Sequence, residues 1–392
     1  MAGSRSPESE ASLMARGGLG VLSAILAMTL AVGLSSGSWL GAGEEARKPS
    51  SDLDRRRLEE PEPPHRGVRR FEIGQGPRSY WLFEPDQPRP ERAPVVVFLH
   101  GWFAVNPGFY GAWIDHLVRD GRIVIFPRYQ NDVGTMPQDF LPNALAAVHD
   151  AMGVLHVGVD HVRPDPAQFA LIGHSAGATV AAQIAALTAD PHTDLPRPKA
   201  LITLMPGEVL PMRRPTLDRI PETTLLIVAV GEEDIVVGDL RGRQIFAEAT
   251  AIPPARRRFI FFRSDRHGYP PLIADHAAPT GSHPRLDNGE GIFRAFQLSM
   301  CDVNALDRAG FWRIADVTLD AGFAGKTLDD AARDEERFRH LGYWSDGRRV
   351  NPPIVSADLD GIPRVIPANG LKIFPWSSPS KPKIALGPEQ TR

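Results

Sequence analysis

The stretch that decides the fold is Phe169-Ala170-Leu171-Ile172-Gly173-His174-Ser175-Ala176-Gly177. Its first four residues are apolar without interruption, which is typical of a strand that is covered on both faces, as in a parallel sheet. Gly173 and Gly177 then bracket Ser175 at the G-x-S-x-G spacing. In that motif the serine lies on a strained turn, and neighbouring backbone comes too close for side chains at the two glycine positions. The stretch therefore predicts a strand, a sharp turn that exposes a serine, and a helix of small residues.

Apolar runs recur along the chain on both sides of this turn and alternate with segments of helical spacing. The predicted strands span residues 93–99, 123–126, 168–172, 200–205, 224–230 and 258–262, and the predicted helices cover about 110–119 and 142–157. Two short strands around Gly74-Gln75-Gly76-Pro77 predict an antiparallel hairpin over residues 70–85. Strands that alternate with helices in this rhythm indicate the α/β class, with a doubly wound, mostly parallel sheet.

The composition is that of an ordinary globular protein. The 392 residues are 42% hydrophobic and carry a formal net charge of −3, which gives no reason to expect a nucleic-acid partner or a strongly acidic substrate. The single cysteine, Cys301, excludes an intrachain disulfide and a cysteine-rich metal site. The length allows one large domain with extensions or two modest domains.

The N-terminal residues 1–43 are predicted to lie outside the folded domain. Residues 17–43 carry no charge, and their apolar run over residues 19–34 follows Arg5 and Arg16, which is typical of a secretory signal peptide. The uncharged stretch is also long enough to span a bilayer, so a membrane anchor is the alternative. Either interpretation predicts an exported protein, periplasmic or secreted, and the second adds a membrane tether.

The rest of the chain is divided into three segments. Residues 44–66 are polar, charged and proline-bearing, and are predicted to be a disordered linker. Residues 67–300 form the predicted α/β domain. Residues 301–392 are predicted to be an extension of helices and loops that packs on this domain, with a charged helix over residues 329–339 and a disordered tail.

A serine hydroxyl is a weak nucleophile and needs a neighbouring base, which is itself oriented by a carboxylate. In a doubly wound sheet these groups come from loops at the carboxyl ends of strands. The predicted strand at 224–230 is followed by Gly231-Glu232-Glu233-Asp234, and the strand at 258–262 by Arg263-Ser264-Asp265-Arg266-His267-Gly268. Serine, acid and histidine thus occur in the chain order that accompanies this serine motif.

Over about residues 71–268 the chain resembles an α/β-hydrolase, on the strength of Gly173-His174-Ser175-Ala176-Gly177, of His100-Gly101 after an apolar strand, and of the spaced Asp234 and His267. The resemblance implies that residues 67–300 are the catalytic domain. It makes Ser175 the nucleophile, His267 the general base and acid, and Asp234 the carboxylate that orients it. It also implies an oxyanion hole formed by the amides of Trp102 and Ala176, with no metal and no cofactor.

Other residues compete for these roles. Alternatives for the acid are Glu232, Glu233 and Asp239, and alternatives for the base are His276 and His283, which lie on the irregular stretch after His267. His174 is expected to point away from the serine and to pack or form a hydrogen bond, and His100 to support the oxyanion loop. A metal cluster is disfavoured because no standard ligand spacing joins its candidates, Asp265, His267, Asp275, His276 and His283.

These features predict an exported serine hydrolase that cleaves a small-molecule carboxylic ester through an acyl-enzyme intermediate. Trp102 and Phe103 are candidates for lining an acyl pocket. The polar, proline-interrupted residues 275–291 favour a soluble or short-chain ester over a lipid interface. Peptidase, thioesterase and acyltransferase activities would use the same residues. A catalytically silent binding protein of the same fold and a membrane-tethered scaffold are the alternatives from other classes.

Overall fold

The structure is a computed structural model, and it describes residues 62–367 apart from residues 133, 209–215, 285, 287–300 and 332–335. The predicted signal peptide or anchor at 1–43, most of the linker at 44–66 and the predicted tail beyond residue 367 lie outside the described residues. Within the described part of the chain, none of the helices combines the length and the apolar character that a membrane crossing requires.

The described residues form one nine-stranded sheet in the order β1-β2-β4-β3-β5-β6-β7-β8-β9. Its strands are β1 Gly67–Ile73, β2 Tyr80–Asp86, β3 Arg92–Leu99, β4 Ile123–Pro127, β5 Arg163–His174, β6 Ala200–Leu204, β7 Leu225–Gly231, β8 Arg257–Phe262 and β9 Ile354–Ser356. The six strands from β3 to β8 are mutually parallel, whereas β1, β2 and β9 run antiparallel to their neighbours. The predicted α/β class, the mostly parallel sheet and the entry hairpin are therefore confirmed.

Helices cover both faces of this sheet. They are α1 Gly111–Arg119, α2 Phe140–Val157, α3 Ala176–Leu187, α4 Leu240–Glu248, α5 Arg313–Phe323, α6 Leu328–Ala331 and α7 Glu336–Arg339. Along β3, Val95 and Val97 face α2, α3 and α4, whereas Val96 and Phe98 face α1 and α5. Each such side chain that becomes fully buried contributes about 1.5–3 kcal/mol, which explains why the central strands are apolar without alternation.

The C-terminal region completes the main domain. A π-helical segment, Leu306–Trp312, leads into α5, and Trp312 stacks on Trp113 of α1 with ring centroids 6.5 Å apart. The strand β9 pairs with β8 and forms one edge of the sheet. The charged helix predicted over 329–339 is present as the two short helices α6 and α7, with residues 332–335 outside the described part. The strand β9 was not predicted, because three residues are too few to show a period.

Candidate active site

Ser175 lies on the turn between β5 and α3 with backbone angles φ 56° and ψ −123°. A residue other than glycine in this region costs about 1–3 kcal/mol, and such strain is concentrated at functional sites. A Cβ atom at Gly173 would lie 2.4 Å from the carbonyl oxygen of Gly177, and one at Gly177 would lie 2.2 Å from that of Leu99. The two glycines therefore bring three backbone segments together under the serine, as the motif predicts.

The side chain that meets Ser175 is that of His276. The Ser175 hydroxyl donates to Nε2 of His276 at 2.9 Å, and Nδ1 of His276 donates to Oδ2 of Asp234, also at 2.9 Å. Asp234 is fully buried, and Ser175 and His276 are each 6% exposed. The other carboxylate oxygen, Oδ1 of Asp234, accepts the amides of Val236 at 3.1 Å and Val237 at 3.0 Å. Serine, imidazole and carboxylate thus form one continuous hydrogen-bonded line.

The electrostatic environment in this line makes the imidazole of His276 easier to protonate than a histidine free in water. Burial by itself lowers the pKa of His276, but the charge of Asp234, the hydrogen bond to that carboxylate and the charge of Asp275 outweigh it. The net effect raises the pKa of His276 above its ordinary value. A histidine in this position can take a proton from the serine and hold the resulting positive charge beside Asp234.

The prediction that His267 is the base of the site is wrong, because the structure places this residue elsewhere. After β8 the chain folds back on itself, with reciprocal backbone hydrogen bonds of 2.7 and 2.9 Å between Asp265 and Leu272. The imidazole of His267 lies on the outside of this turn, where Nε2 is 2.7 Å from Oδ2 of Asp346 and Nδ1 is 3.0 Å from Arg348. The loop reaches Ser175 only at His276, which was one of the two alternatives.

The remaining alternatives have other partners. Glu232 accepts the Ser264 amide at 2.8 Å and Glu233 pairs with Arg266 at 2.6 Å. The buried Asp239 pairs with Arg243 at 2.5 Å and with Arg364 at 3.3 Å, which ties the C-terminal segment to α4. His283 packs against Gly111 at the start of α1. Of the five candidates for a metal cluster, Asp265 and His267 lie together on the turn after β8, whereas His276 lies beside Ser175. No group of three metal-ligating side chains is found in the described ranges.

The predicted oxyanion residues flank the serine. The Ala176 amide belongs to the first residue of α3, where an N–H has no intrahelical partner. Trp102 follows Gly101, and a Cβ at Gly101 would lie 3.2 Å from Cβ of Ser175. The next residue, Phe103, has a φ of 67° and donates its amide to Oε1 of Gln130 at 3.2 Å. The structure thus leaves Trp102 and Ala176 as the candidate donors, and this assignment stays a prediction.

His100 supports this loop from beneath, as expected. Its ring stacks on Tyr129 with centroids 4.1 Å apart, and its two nitrogens are each 2.6 Å from a carbonyl oxygen, those of Gly101 and Arg128. Burial lowers the pKa of His100 to about 4, although both hydrogen bonds act in the opposite direction. The neutral ring donates to one carbonyl only, so His100 has a structural part in the loop rather than a part in proton transfer.

Three neighbours of the site were not singled out for it by the sequence analysis. Tyr110, at the foot of α1, lies 2.8 Å from His174, and the fully buried Gln130 holds Phe103. Gly207, after β6, is so close that a Cβ there would lie 3.3 Å from the Ser175 hydroxyl. None of them belongs to a motif, and only the packing of distant segments brings them to the serine.

The strand order, the serine between β5 and α3, and an acid and a histidine in the loops after β7 and β8 are consistent with the α/β-hydrolase fold. Residues 70–216 match the family model described as Chlorophyllase, a family of α/β-hydrolase-like serine esterases. The matched region includes Ser175 but ends before Asp234 and His276. It supports serine hydrolase chemistry for this chain. A comparison with curated proteins found no match.

Proposed function

We propose that this protein hydrolyses a carboxylic ester through an acyl-enzyme intermediate, with Ser175 as nucleophile, His276 as general base and acid, and Asp234 as the orienting carboxylate. The single observation that carries the proposal is the position of His276, whose two ring nitrogens lie 2.9 Å from the serine hydroxyl and 2.9 Å from the carboxylate. Nucleophile, base and orienting group are therefore within hydrogen-bonding reach of one another before any substrate binds.

The reaction proceeds in two halves. Ser175 attacks the ester carbonyl while His276 takes the hydroxyl proton, and Asp234 stabilises the imidazolium that forms. The imidazolium then protonates the departing alcohol, which leaves an acyl group on the serine. A water molecule, deprotonated by the neutral His276, attacks this acyl group and releases the acid and the free serine. Each proton that His276 takes is returned within the same half-reaction, so the mechanism requires no cofactor.

The developing negative charge on the carbonyl oxygen is assigned to the amides of Ala176 and Trp102. The amide of Ala176 begins α3, and the amide of Trp102 lies in the loop after β3. Removal of one such donor typically costs about 2.7–4 kcal/mol of transition-state stabilisation. The half-buried rings of Trp102 and Phe103, which are tilted by 34° with centroids 4.2 Å apart, provide an apolar surface beside this hole that suits the acyl group of a small ester.

The experiment that tests the proposal is covalent labelling with a fluorophosphonate probe, combined with turnover of a panel of esters. We expect the wild-type protein to be labelled, Ser175→Ala to be unlabelled, and His276→Gln to be labelled very slowly. His267→Gln is the matched control, since it changes a histidine of the same loop outside the site. Labelling that survives Ser175→Ala would refute the proposal. If the wild-type protein shows no labelling and no turnover, a silent binding protein would be favoured instead.

Export is part of the proposal and rests on the sequence alone, on the uncharged residues 17–43 and the apolar run within them. Cell fractionation followed by N-terminal sequencing is the test. A mature terminus between Ser38 and Glu44 would support a cleaved signal peptide, and an intact chain in the membrane fraction would support an anchor. An intact chain found only in the soluble cytoplasmic fraction would contradict export.

A further inference from the structure

Beneath the serine, His174 connects the oxyanion loop to the loop that carries His276. Nε2 of His174 is 2.9 Å from the backbone carbonyl oxygen of His276, and Nδ1 is 2.8 Å from the hydroxyl of Tyr110. The same hydroxyl accepts the backbone amide of Gly101 at 2.9 Å. His174 is 4% exposed and Tyr110 is fully buried, so water does not compete for these hydrogen bonds.

The chemistry of the partners determines where the His174 ring carries its proton. A carbonyl oxygen can only accept, so Nε2 of His174 must donate to His276. Burial, together with the charge of the nearby His276, lowers the pKa of His174 well below its ordinary value, which makes the ring neutral with a single N–H. Nδ1 is then an acceptor and accepts a hydrogen bond from the Tyr110 hydroxyl, which stays protonated because burial raises its pKa. Donors and acceptors are matched at every step from Gly101 to His276.

This arrangement holds the imidazole of His276 from a third direction. Its ring nitrogens are engaged by Ser175 and Asp234, and the residue itself lies in an irregular loop, outside any strand or helix. Two residues earlier, the carbonyl of Ala274 accepts the amide of Glu233 at 3.0 Å. The hydrogen bond from His174, the last residue of β5, to the carbonyl of His276 joins that loop to the sheet. The rings of His174 and His276 lie close together, with centroids 5.0 Å apart.

We propose that His174 is a positioning residue of the site, which donates from Nε2 to the backbone carbonyl of His276 and thereby holds the general base in line with Ser175. The inference deepens the proposed function and depends on it. A displacement of reacting groups by about 1 Å can cost a factor of 10² in rate, so the expected effect lies on kcat. The affinity for the ester is not expected to change, because His174 is buried beneath the serine.

Two substitutions at position 174 distinguish the effect of the hydrogen bond from the effect of side-chain volume. His174→Gln places an amide N–H close to where Nε2 of the imidazole lies, and can still donate to the His276 carbonyl. His174→Asn places its amide near the Nδ1 position, next to Tyr110, and cannot reach that carbonyl. We expect the asparagine variant to lose at least about tenfold in kcat with little change in KM, and the glutamine variant to retain kcat within about threefold of the wild type.

Equal kcat values for the two variants, or an effect confined to KM, would overturn the inference while wild-type labelling of Ser175 continued to support the proposed function. An unlabelled wild type would refute the proposed function instead. If either variant fails to fold, long-range ¹H–¹⁵N spectra of wild-type protein provide the second measurement. A ring of His174 that is neutral and protonated at Nε2 from pH 5 to 8 supports the inference, and protonation at Nδ1 or titration in that range overturns it.

Discussion

Replacing Asp234 by asparagine should inactivate the protein because it changes the tautomer of His276, and not because it moves the imidazole. Oδ1 of Asp234 accepts two amides, from Val236 and Val237, at 3.1 and 3.0 Å. An asparagine must keep its carbonyl oxygen there, because an NH₂ group would face two N–H donors. Its NH₂ group is then directed at Nδ1 of His276 and forces that nitrogen to accept, so the ring proton moves to Nε2.

A His276 ring that carries its proton on Nε2 faces the serine with a donor and cannot take the hydroxyl proton. In a triad of this kind the same exchange lowers kcat by about 10⁴-fold, which corresponds to about 5.4 kcal/mol at 1.36 kcal/mol per factor of ten. Since the amide acceptor is preserved and the shape is unchanged, we expect the melting temperature to fall only slightly. Steady-state kinetics with a chromogenic ester and thermal melting measure the two effects.

Asp239→Asn is the matched control for this substitution. Asp239 is as fully buried as Asp234 and lies in the same loop, but it pairs with Arg243 and Arg364 instead of a histidine. Loss of its charge should lower the melting temperature, because Arg243 and Arg364 lose their anionic partner, and should leave kcat near the wild-type value in the folded protein. If Asp234→Asn keeps more than a tenth of kcat, or if both variants lose kcat alike, the reasoning is refuted.

Three further results are expected. The raised pKa of His276 means that the ester hydrolysis rate is fully present above this pKa and is lost as the pH falls through it, so kcat/KM should show an acid limb centred above pH 6.5; a midpoint below 6.5 would contradict this. Gly207→Ala would place a methyl group 3.3 Å from the serine hydroxyl, and kcat/KM should fall more for bulky esters than for acetate esters; an equal loss would speak against it. Gln130→Leu removes the acceptor of the part-buried Phe103 amide, and the loss of such a hydrogen bond costs about 0.5–1.5 kcal/mol, so calorimetry should show destabilisation and kinetics a reduced kcat, whereas unchanged values of both would refute the role of Gln130.

The parts of the fold that the sequence predicts are those set by local sterics and burial. The serine turn is recognisable because a side chain at Gly173 has no room beside the backbone of Gly177, and one at Gly177 has none beside the backbone of Leu99. The central strands are recognisable because both faces of the sheet are covered, which leaves runs such as 225–230 apolar throughout. Asp234 follows β7 directly, so its place at the carboxyl edge of the sheet could be predicted from the strand alone.

The base could not be selected among the histidines in the same way. Its position depends on the turn closed by Asp265 and Leu272. This turn places His267 away from the serine, so that the chain contacts Ser175 later, at His276. The backbone hydrogen bonds of that turn have no signature in the residue pattern. The contacts of Tyr110 and Gln130 likewise depend on how separate loops meet, and β9 is recognisable only by its partner β8.

The late position of α5 and β9 in the chain has a consequence for biosynthesis. A chain that has been synthesised as far as His276 already contains all three residues of the site, yet it lacks α5 and the π-helical segment before it. Phe262 of β8 packs against Phe311 of that segment, with ring centroids 4.3 Å apart, so in such a nascent chain Phe262 and the part of this sheet face beneath α5 have no cover. Newly made chains therefore expose an apolar surface that favours aggregation until more than three hundred residues have left the ribosome. Fragments truncated before α5 should be insoluble for the same reason, although no residue of the site is missing from them.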